Sequence, residues 1–301
     1  SGDSTCTIPP WSLPKKTVER IRQIARDLAK ALRVRGLMNV QMALQDDEIY
    51  IIEVNPRASR TAPFVSKAKG VAWPFVAAQV MMGRSLDELG AQERPDTGSY
   101  AVKAPVFPFK KFPRTDFVLG PEMRSTGEVM GQDASLPISL AKAMIGAGVA
   151  LPLEGAVFFS VRDADKHRMG DVARSLRAMG FTLYTTSGTA RFFQSQSIET
   201  RVLKKVAEGA RPNVLDMLTS GEIHLVINTP TRTGYDTDEG KIRATAVRFG
   251  VPMITTASGA IAAVRAIEAL RAGDWSVSAL QDTGAAPVGE IVTSAREPLA
   301  R

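Results

Sequence analysis

Five side chains stand close enough in sequence to act together. They are Gln41, Glu53, Asn55, Arg57 and Arg60, all within QMALQDDEIYIIEVNPRASR. Amide and carboxylate oxygens suit a hard cation such as magnesium or manganese, which is held by few protein groups plus substrate phosphates. Two guanidinium groups beside them offer planar donors to phosphoryl oxygens. An ordinary surface hairpin with a solvated Glu and two solvated arginines would show the same short pattern.

The elements that must hold these groups are two alternating runs. Met38, Val40, Met42 and Leu44 alternate with Asn39, Gln41 and Ala43, and Tyr50, Ile52 and Val54 alternate with Ile51, Glu53 and Asn55. Period-two patterning predicts a pair of half-buried strands, with the polar run Gln45–Glu48 as their turn. An odd-numbered loop of Asp46, Asp47 and Glu48 places Gln41 opposite Glu53. A two-residue loop places Gln41 opposite Ile52, on the wrong face, because a one-residue slip flips every side chain. The odd loop is therefore expected, with Gln41, Glu53 and Asn55 on one surface and the arginines beyond the strand end.

A second set is spread along the later chain. From residue 156 onward, strands alternate with helices: strands at 156–161, 181–184, 197–202, 223–227 and 251–255, and helices at 165–179, 213–221, 238–249 and 258–272. That alternation predicts a parallel sheet with helices on both faces and right-handed crossovers. Ligands of such sheets sit beyond the carboxyl ends of the strands. Those ends carry Lys166, then Thr186 and Thr189, then Lys205, then Asn228 with Thr229. Hydroxyls, amides, lysines and glycine-rich backbone in one crevice make a phosphate cradle, although Thr, Ser and Gly are common in any turn. His224, in a strand, reads as structural. No catalytic acid–base set is apparent, so the domain reads as a sensor.

Between the two sets the chain is less eventful. Pro14–Val34 carries an apolar stripe of Val18, Ile21, Ile24, Ala25, Leu28 and Leu32, an amphipathic helix ended by Gly36 and packed on the back of the hairpin. Residues 63–70 read as a connection and 74–82 as a short helix with Pro at its first position. Ser85–Glu88 is a capping-box pattern. Residues 100–109 read as an edge strand, because Pro105 and Pro108 cannot donate to a ladder, with Phe107, Phe109 and Phe112 as core. Residues 135–145 read as a capped helix with Leu136, Leu140 and Met144 on one side, and 146–155 as a linker. Residues 276–301 read as loose.

The bulk numbers narrow the classes. With 301 residues the chain has room for about two domains. No apolar run approaches the ~20 residues needed to span a bilayer. One cysteine, Cys6, excludes an internal disulfide or cysteine metal cluster. These features predict a cytoplasmic protein that does not bind a membrane. The charge of +7 comes from scattered lysines and arginines, without the basic–aromatic interleaving of a nucleic-acid site. Small phosphorylated ligands account for it better.

The stretches RGLMNVQ, IIEVNPRASRTAPFVSKAKG, PFKKFP and LGPEMRSTGEVMG resemble, in order, the end of the second ATP-grasp unit of the carbamoyl-phosphate synthase large chain. The remainder resembles that family's methylglyoxal-synthase-like allosteric domain. The resemblance implies an α/β chain with three parts. Residues 1–148 would be the end of an ATP-grasp unit, 149–275 a doubly wound allosteric domain, and 276–301 a tail. It implies ATP, two magnesium or manganese ions and potassium as cofactors. Gln41 and Glu53 would serve ATP and metal, Asn55 would hold metal, and Arg57 and Arg60 would act on the transferred group. Lys166, Thr186, Thr189, Lys205, Asn228 and Thr229 would hold a regulatory nucleotide, UMP or IMP. Pro230 in place of a hydroxyl residue and Ser187 in place of His depart from the pattern. Asp3 and Thr255 match ornithine contacts, but Ala104 stands where a carboxylate contact is expected. The implied partners are the upstream part of the large chain and a glutaminase small subunit, within an oligomer. SGDSTCTIPP reads as the middle of such a chain, which implies a fragment, a split-gene product or a cut piece. The alternative is a non-catalytic, nucleotide-sensing regulatory segment.

Overall fold

The computed structural model describes residues 4–92, 94–96, 98–107, 127–204, 206–209, 211–230 and 237–282. Phe109 and Phe112, Lys205, Asp3 and residues 283–301 lie outside them. Among the described residues no helix is long and apolar enough to cross a membrane. Contacts gather the chain into two units, one up to Lys103 together with the residues from Ser276, the other Ala104–Trp275.

The first unit opens with β1 (Cys6–Ile8) and helix α1 (Lys15–Ala31). The predicted stripe of α1 is half-buried, and none of its residues is fully buried. It ends earlier than Gly36: Leu32 is the C-cap, and Arg33 takes the left-handed conformation at φ 51°. A tie from α1 to the hairpin runs from Arg20 Nη1 to the Asp47 carbonyl oxygen, 3.2 Å, at the turn. The hairpin itself is β2 (Asn39–Gln45) and β3 (Glu48–Asn55), paired antiparallel. Of residues 63–70, expected as a connection, 63–69 lie within helix α2 (Ala62–Lys69), which has Pro in its first turn and Gly70 left-handed at its C-cap. Small residues hid a helix whose face is buried at Phe64, Ser66 and Ala68. Helix α3 (Trp73–Met81) follows as expected to within a residue. Ser85 and Glu88 form the predicted reciprocal box, Ser85 N donating to Glu88 Oε2 at 2.9 Å and Glu88 N to Ser85 Oγ at 3.2 Å.

Strand β4 (Tyr100–Val106) is not an edge strand. It lies between β1 and β5 (Gly127–Asp133). Ala101 to Ala104 are buried without interruption, Lys103 included, as for a strand covered on both faces. Pro105 falls near the strand's end, so the ladder with β1, which runs from Ala101 to Lys103, keeps its donors.

Residues 104–107 and 127–148, expected with the first domain, group with the parallel sheet. The cause is helix α4 (Leu136–Gly146). Ala141 belongs to the sheet's core, and Leu140 and Met144 pack against it. The helix lies so close to β5 that a Cβ at Gly131 would fall on the Ser139 carbonyl oxygen and 2.5 Å from the Ala143 nitrogen. Ser135 does not cap α4 with its hydroxyl. Asp133 Oδ1 accepts from the Ser135 N–H instead, at 2.9 Å.

The sheet is as predicted: β6 (Ala156–Val161), β7 (Thr182–Thr185), β8 (Arg201–Val202), β9 (Leu225–Thr229) and β10 (Met253–Ile254), all parallel. Its order, β10-β9-β6-β7-β8, reverses direction between β6 and β9, the switch point where doubly wound sheets bind ligands. Helices α6 (Met169–Ala178), α7 (Ser187–Ser195) and α10 (Ala257–Ala272) cover one face, and α8 (Val214–Thr219) and α9 (Asp238–Phe249) the other. The helix expected at 165–179 is interrupted at His167 and Arg168, which leaves a separate turn, α5 (Asp163–Lys166).

Candidate functional site

The hairpin reaches the expected pairing by an unexpected route. Asp46 and Asp47, at φ 49° and 63°, form a two-residue turn, and Gln45 pairs with Glu48. Two positive φ values match the right-handed twist of a tight hairpin. The three-residue loop is therefore wrong. Uninterrupted pairing from this turn would set Gln41 against Ile52, but a bulge intervenes: Met42 pairs with Ile51 and Gln41 with Glu53, so Ile52 is the extra residue. Gln41 and Glu53 thus share a face, and Asn55, two residues on, shares it too. Asn55 Nδ2 donates to Glu53 Oε1 at 3.0 Å, which holds the carboxylate and aims the amide oxygen elsewhere.

Among the described residues no three His, Cys, Asp or Glu side chains converge on a metal position. A site here has one carboxylate and two amides. That donor set fits a cation that completes its shell with water and phosphate. Beyond the strand, Arg57 Nη1 donates to the Ala58 carbonyl at 2.9 Å and the side chain is exposed, while Arg60 is half-buried.

The second set is divided by its strand. Asn228 and Thr229 were expected after a strand ending at Ile227, but both lie inside β9 and point to opposite faces. Asn228 pairs with Ser160 on the face of Phe158 and Val226, which α8 and α9 cover. Thr229 pairs with Val161 on the other face, where its Oγ1 accepts from the Arg162 N–H at 3.0 Å. Asn228 is 1% exposed, and among the described residues neither its Oδ1 nor its Nδ2 has a hydrogen-bond partner. A buried amide left unpaired costs about 1–3 kcal/mol.

Around the end of β6, Thr189 Oγ1 accepts from the Val161 N–H at 3.2 Å and lies 3.3 Å from Thr186 Oγ1. Thr186 is the N-cap of α7 but makes no side-chain cap bond. Lys166 Nζ donates to the Gly188 carbonyl at 2.9 Å and pairs with Asp163 at 2.6 Å. Lys166, Thr186 and Thr189 are therefore joined at the start of α7, beside the end of β6. Lys205 lies outside the described residues, as does Asp3. Thr255 is exposed, just ahead of α10 on the Thr229 face, and Ala104 is buried in β4. His224 is structural: its Nδ1 accepts from the Ala156 N–H at 3.2 Å.

Sequence reasoning missed Arg162, Asp163 and Asp165. The Arg162 hydrogen bond holds Asp165 below the usual carboxylate range, against its burial, and Lys166 does the same for Asp163. The signal was the i,i+3 spacing of opposite charges in RDADK.

Residues 1–89 match the family described as the carbamoyl-phosphate synthase L chain, ATP binding domain, and residues 168–255 match the MGS-like domain. A carbamoyl phosphate synthase large chain of Methanosarcina barkeri is 46% identical over 274 residues, covering 91% of this chain and 69% of that one. The chain belongs to the carbamoyl phosphate synthase large-chain family. The large chain of Archaeoglobus fulgidus is 47% identical over 94% of this chain and 26% of its own length. A protein of Aquifex aeolicus named as the large chain's C-terminal section is 44% identical over 90% of this chain and 53% of its own. The chain thus corresponds to the C-terminal part of the family's large chain, with part of the ATP-binding domain and the MGS-like domain, and spans about a quarter of relatives such as that of Archaeoglobus. Both sites fall in or beside the matched segments: the hairpin within 1–89, and Thr186, Thr189, Asn228 and Thr229 within 168–255.

Proposed function

We propose that the hairpin supplies metal and phosphate ligands to a carbamate-phosphorylating ligase, and that the parallel-sheet domain senses a nucleoside monophosphate, UMP or IMP. The observation that carries the first half is the pairing of Gln41 with Glu53, with Asn55 bonded to the same carboxylate. Gln41, Glu53 and Asn55 would hold the magnesium or manganese ions. The ions would neutralise ATP phosphate charge. Arg57 and Arg60 would steady the transferred phosphoryl group and the carbamate, since phosphoryl transfer relies on positioning and charge neutralisation. In the complete enzyme, a glutaminase small subunit would supply ammonia, and the product would enter arginine and pyrimidine synthesis in the cytoplasm.

The test is carbamoyl phosphate formation by the complete large chain. Glu53→Gln is expected to lower kcat at least about 10³-fold, some 4 kcal/mol of transition-state stabilisation. A kcat near wild type refutes the role.

A second reading has its own support in the orphaned Asn228 amide. On that reading this chain alone is a regulatory segment whose ATP chemistry needs upstream sequence. Calorimetry on the 301-residue chain separates the two: UMP or IMP binding without ATP binding supports the sensor alone, and ATP binding supports a competent hairpin site.

A further inference from the structure

Lys166 is a cation of the cradle at the start of α7, and it is already engaged. Its Nζ donates to the Gly188 carbonyl oxygen at 2.9 Å and lies 2.6 Å from Asp163 Oδ1. An ammonium has three N–H donors, so these two contacts leave one for a ligand. We infer that Asp163 is a built-in competitor for the phosphate of the nucleotide, a role that rests on the nucleotide reading of this cradle and names the residue that opposes binding there.

Burial and geometry separate this role from a positioning one. The Lys166 side chain is 16% exposed and that of Asp163 is 95% exposed. An ion pair with so exposed a partner adds little to the fold. Lys166 does not need it to face the site, because its mostly buried stem and the Gly188 bond already fix the ammonium against the first turn of α7. Arg191, one turn along α7 from Gly188, adds a second attraction on Asp163, which draws the carboxylate toward that end of the cradle. The Lys166 bond also keeps Asp163 below the usual carboxylate range, so its charge is present in neutral water. Two acceptors on one ammonium stand about 4–5 Å apart, well within the ~8 Å over which physiological salt screens charge. A phosphate oxygen on the third N–H therefore meets the Asp163 charge at close range, and a dianion is repelled. A phosphate that displaces Asp163 gives up the ion pair instead. Both routes lower affinity, and neither acts on a ligand without a phosphate.

The experiment is calorimetric titration of the 301-residue chain with UMP, IMP, uridine and inosine. Asp163→Asn keeps an oxygen acceptor for Lys166 and removes only the charge. It is expected to tighten binding of the monophosphates by about three- to tenfold at ~0.1 M salt, with the gain shrinking at ~1 M salt. Asp163→Glu, which keeps the charge, is expected to bind as the wild type does. Monophosphate binding by Asp163→Asn where the wild type shows none supports the competition equally. Equal or weaker monophosphate binding by Asp163→Asn, with wild-type binding intact, overturns the competition and leaves the nucleotide reading standing. A gain that uridine or inosine shares, or that persists in full at ~1 M salt, overturns it as well. Failure of the wild type and Asp163→Asn alike to bind either monophosphate overturns the nucleotide reading, and the competition falls with it.

Discussion

The hairpin and the end of the parallel sheet, the two sites proposed for phosphorylated ligands, hold their polar groups under opposite physical conditions. In the hairpin, Glu53 is exposed and Asn55, two residues along the same strand, bonds to its carboxylate. In the sheet, Asn228 is buried on the face of β9 that α8 and α9 cover, with its amide unpaired among the described residues. An exposed donor set costs the fold little when its ligand is absent, since water solvates each group. A buried one is destabilising until occupied, because folding has already removed its water. The hairpin should therefore carry function at little cost to stability, and the sheet site should set the two against each other.

The largest effect expected is at Glu53. Alongside the loss of turnover in Glu53→Gln, unfolding of the chain in urea should shift by no more than about 0.5 kcal/mol, as for a surface substitution. Destabilisation of ~2 kcal/mol would mean that the carboxylate is a structural member of the hairpin, and the contrast between the two sites would be lost.

Next comes Asn228→Leu, which replaces both unpaired atoms with methyl groups of similar volume. It should raise the unfolding free energy of the unliganded chain by about 1–2 kcal/mol and weaken UMP or IMP at least tenfold. Urea unfolding with and without nucleotide reads both. A less stable Asn228→Leu chain would show that the amide has partners of its own.

The same contrast explains what could be read from sequence. The parallel sheet was legible because AVFFSV and LVI are short apolar runs between periodic helices, and burial on both faces leaves such runs little alternative. Its site was half legible. Residue types at strand ends pointed to Lys166, Thr186, Thr189 and Asn228 as candidates, but whether β9 ends at Ile227 or Thr229 is a boundary question that periodicity does not resolve. Those two extra strand residues send Asn228 and Thr229 to different faces. In the hairpin the error lay in the turn. Polar residues 45–48 fit a loop of two or three, and the choice of three was forced by an assumption of uninterrupted pairing. A bulge at Ile52 removes that constraint. Bulges carry no composition signal when the extra residue is an ordinary apolar one. Helix α2 was missed because APFVSKAK shows no clear stripe, and its packing, not its propensity, makes it helical.

The smallest effect expected tests the turn that made the bulge necessary. Asp47 sits at φ 63°, a conformation that costs a residue with a Cβ about 1 kcal/mol and glycine almost nothing. Asp47→Gly should stabilise the chain by roughly 0.5–1 kcal/mol in urea unfolding, net of the added backbone freedom of the unfolded state. The Arg20 bond survives, because it is made to the backbone carbonyl of residue 47 and not to its side chain. A tighter turn also fixes the two-residue loop, so the bulge must remain for Gln41 to face Glu53, and magnesium-dependent ATP affinity in the complete large chain should be unchanged. If Asp47→Gly stabilised the chain but lost that affinity, the turn and the bulge would be alternatives in exchange rather than a fixed pair. The exposed hairpin would then owe its donor geometry to the ligand, as the buried Asn228 does not.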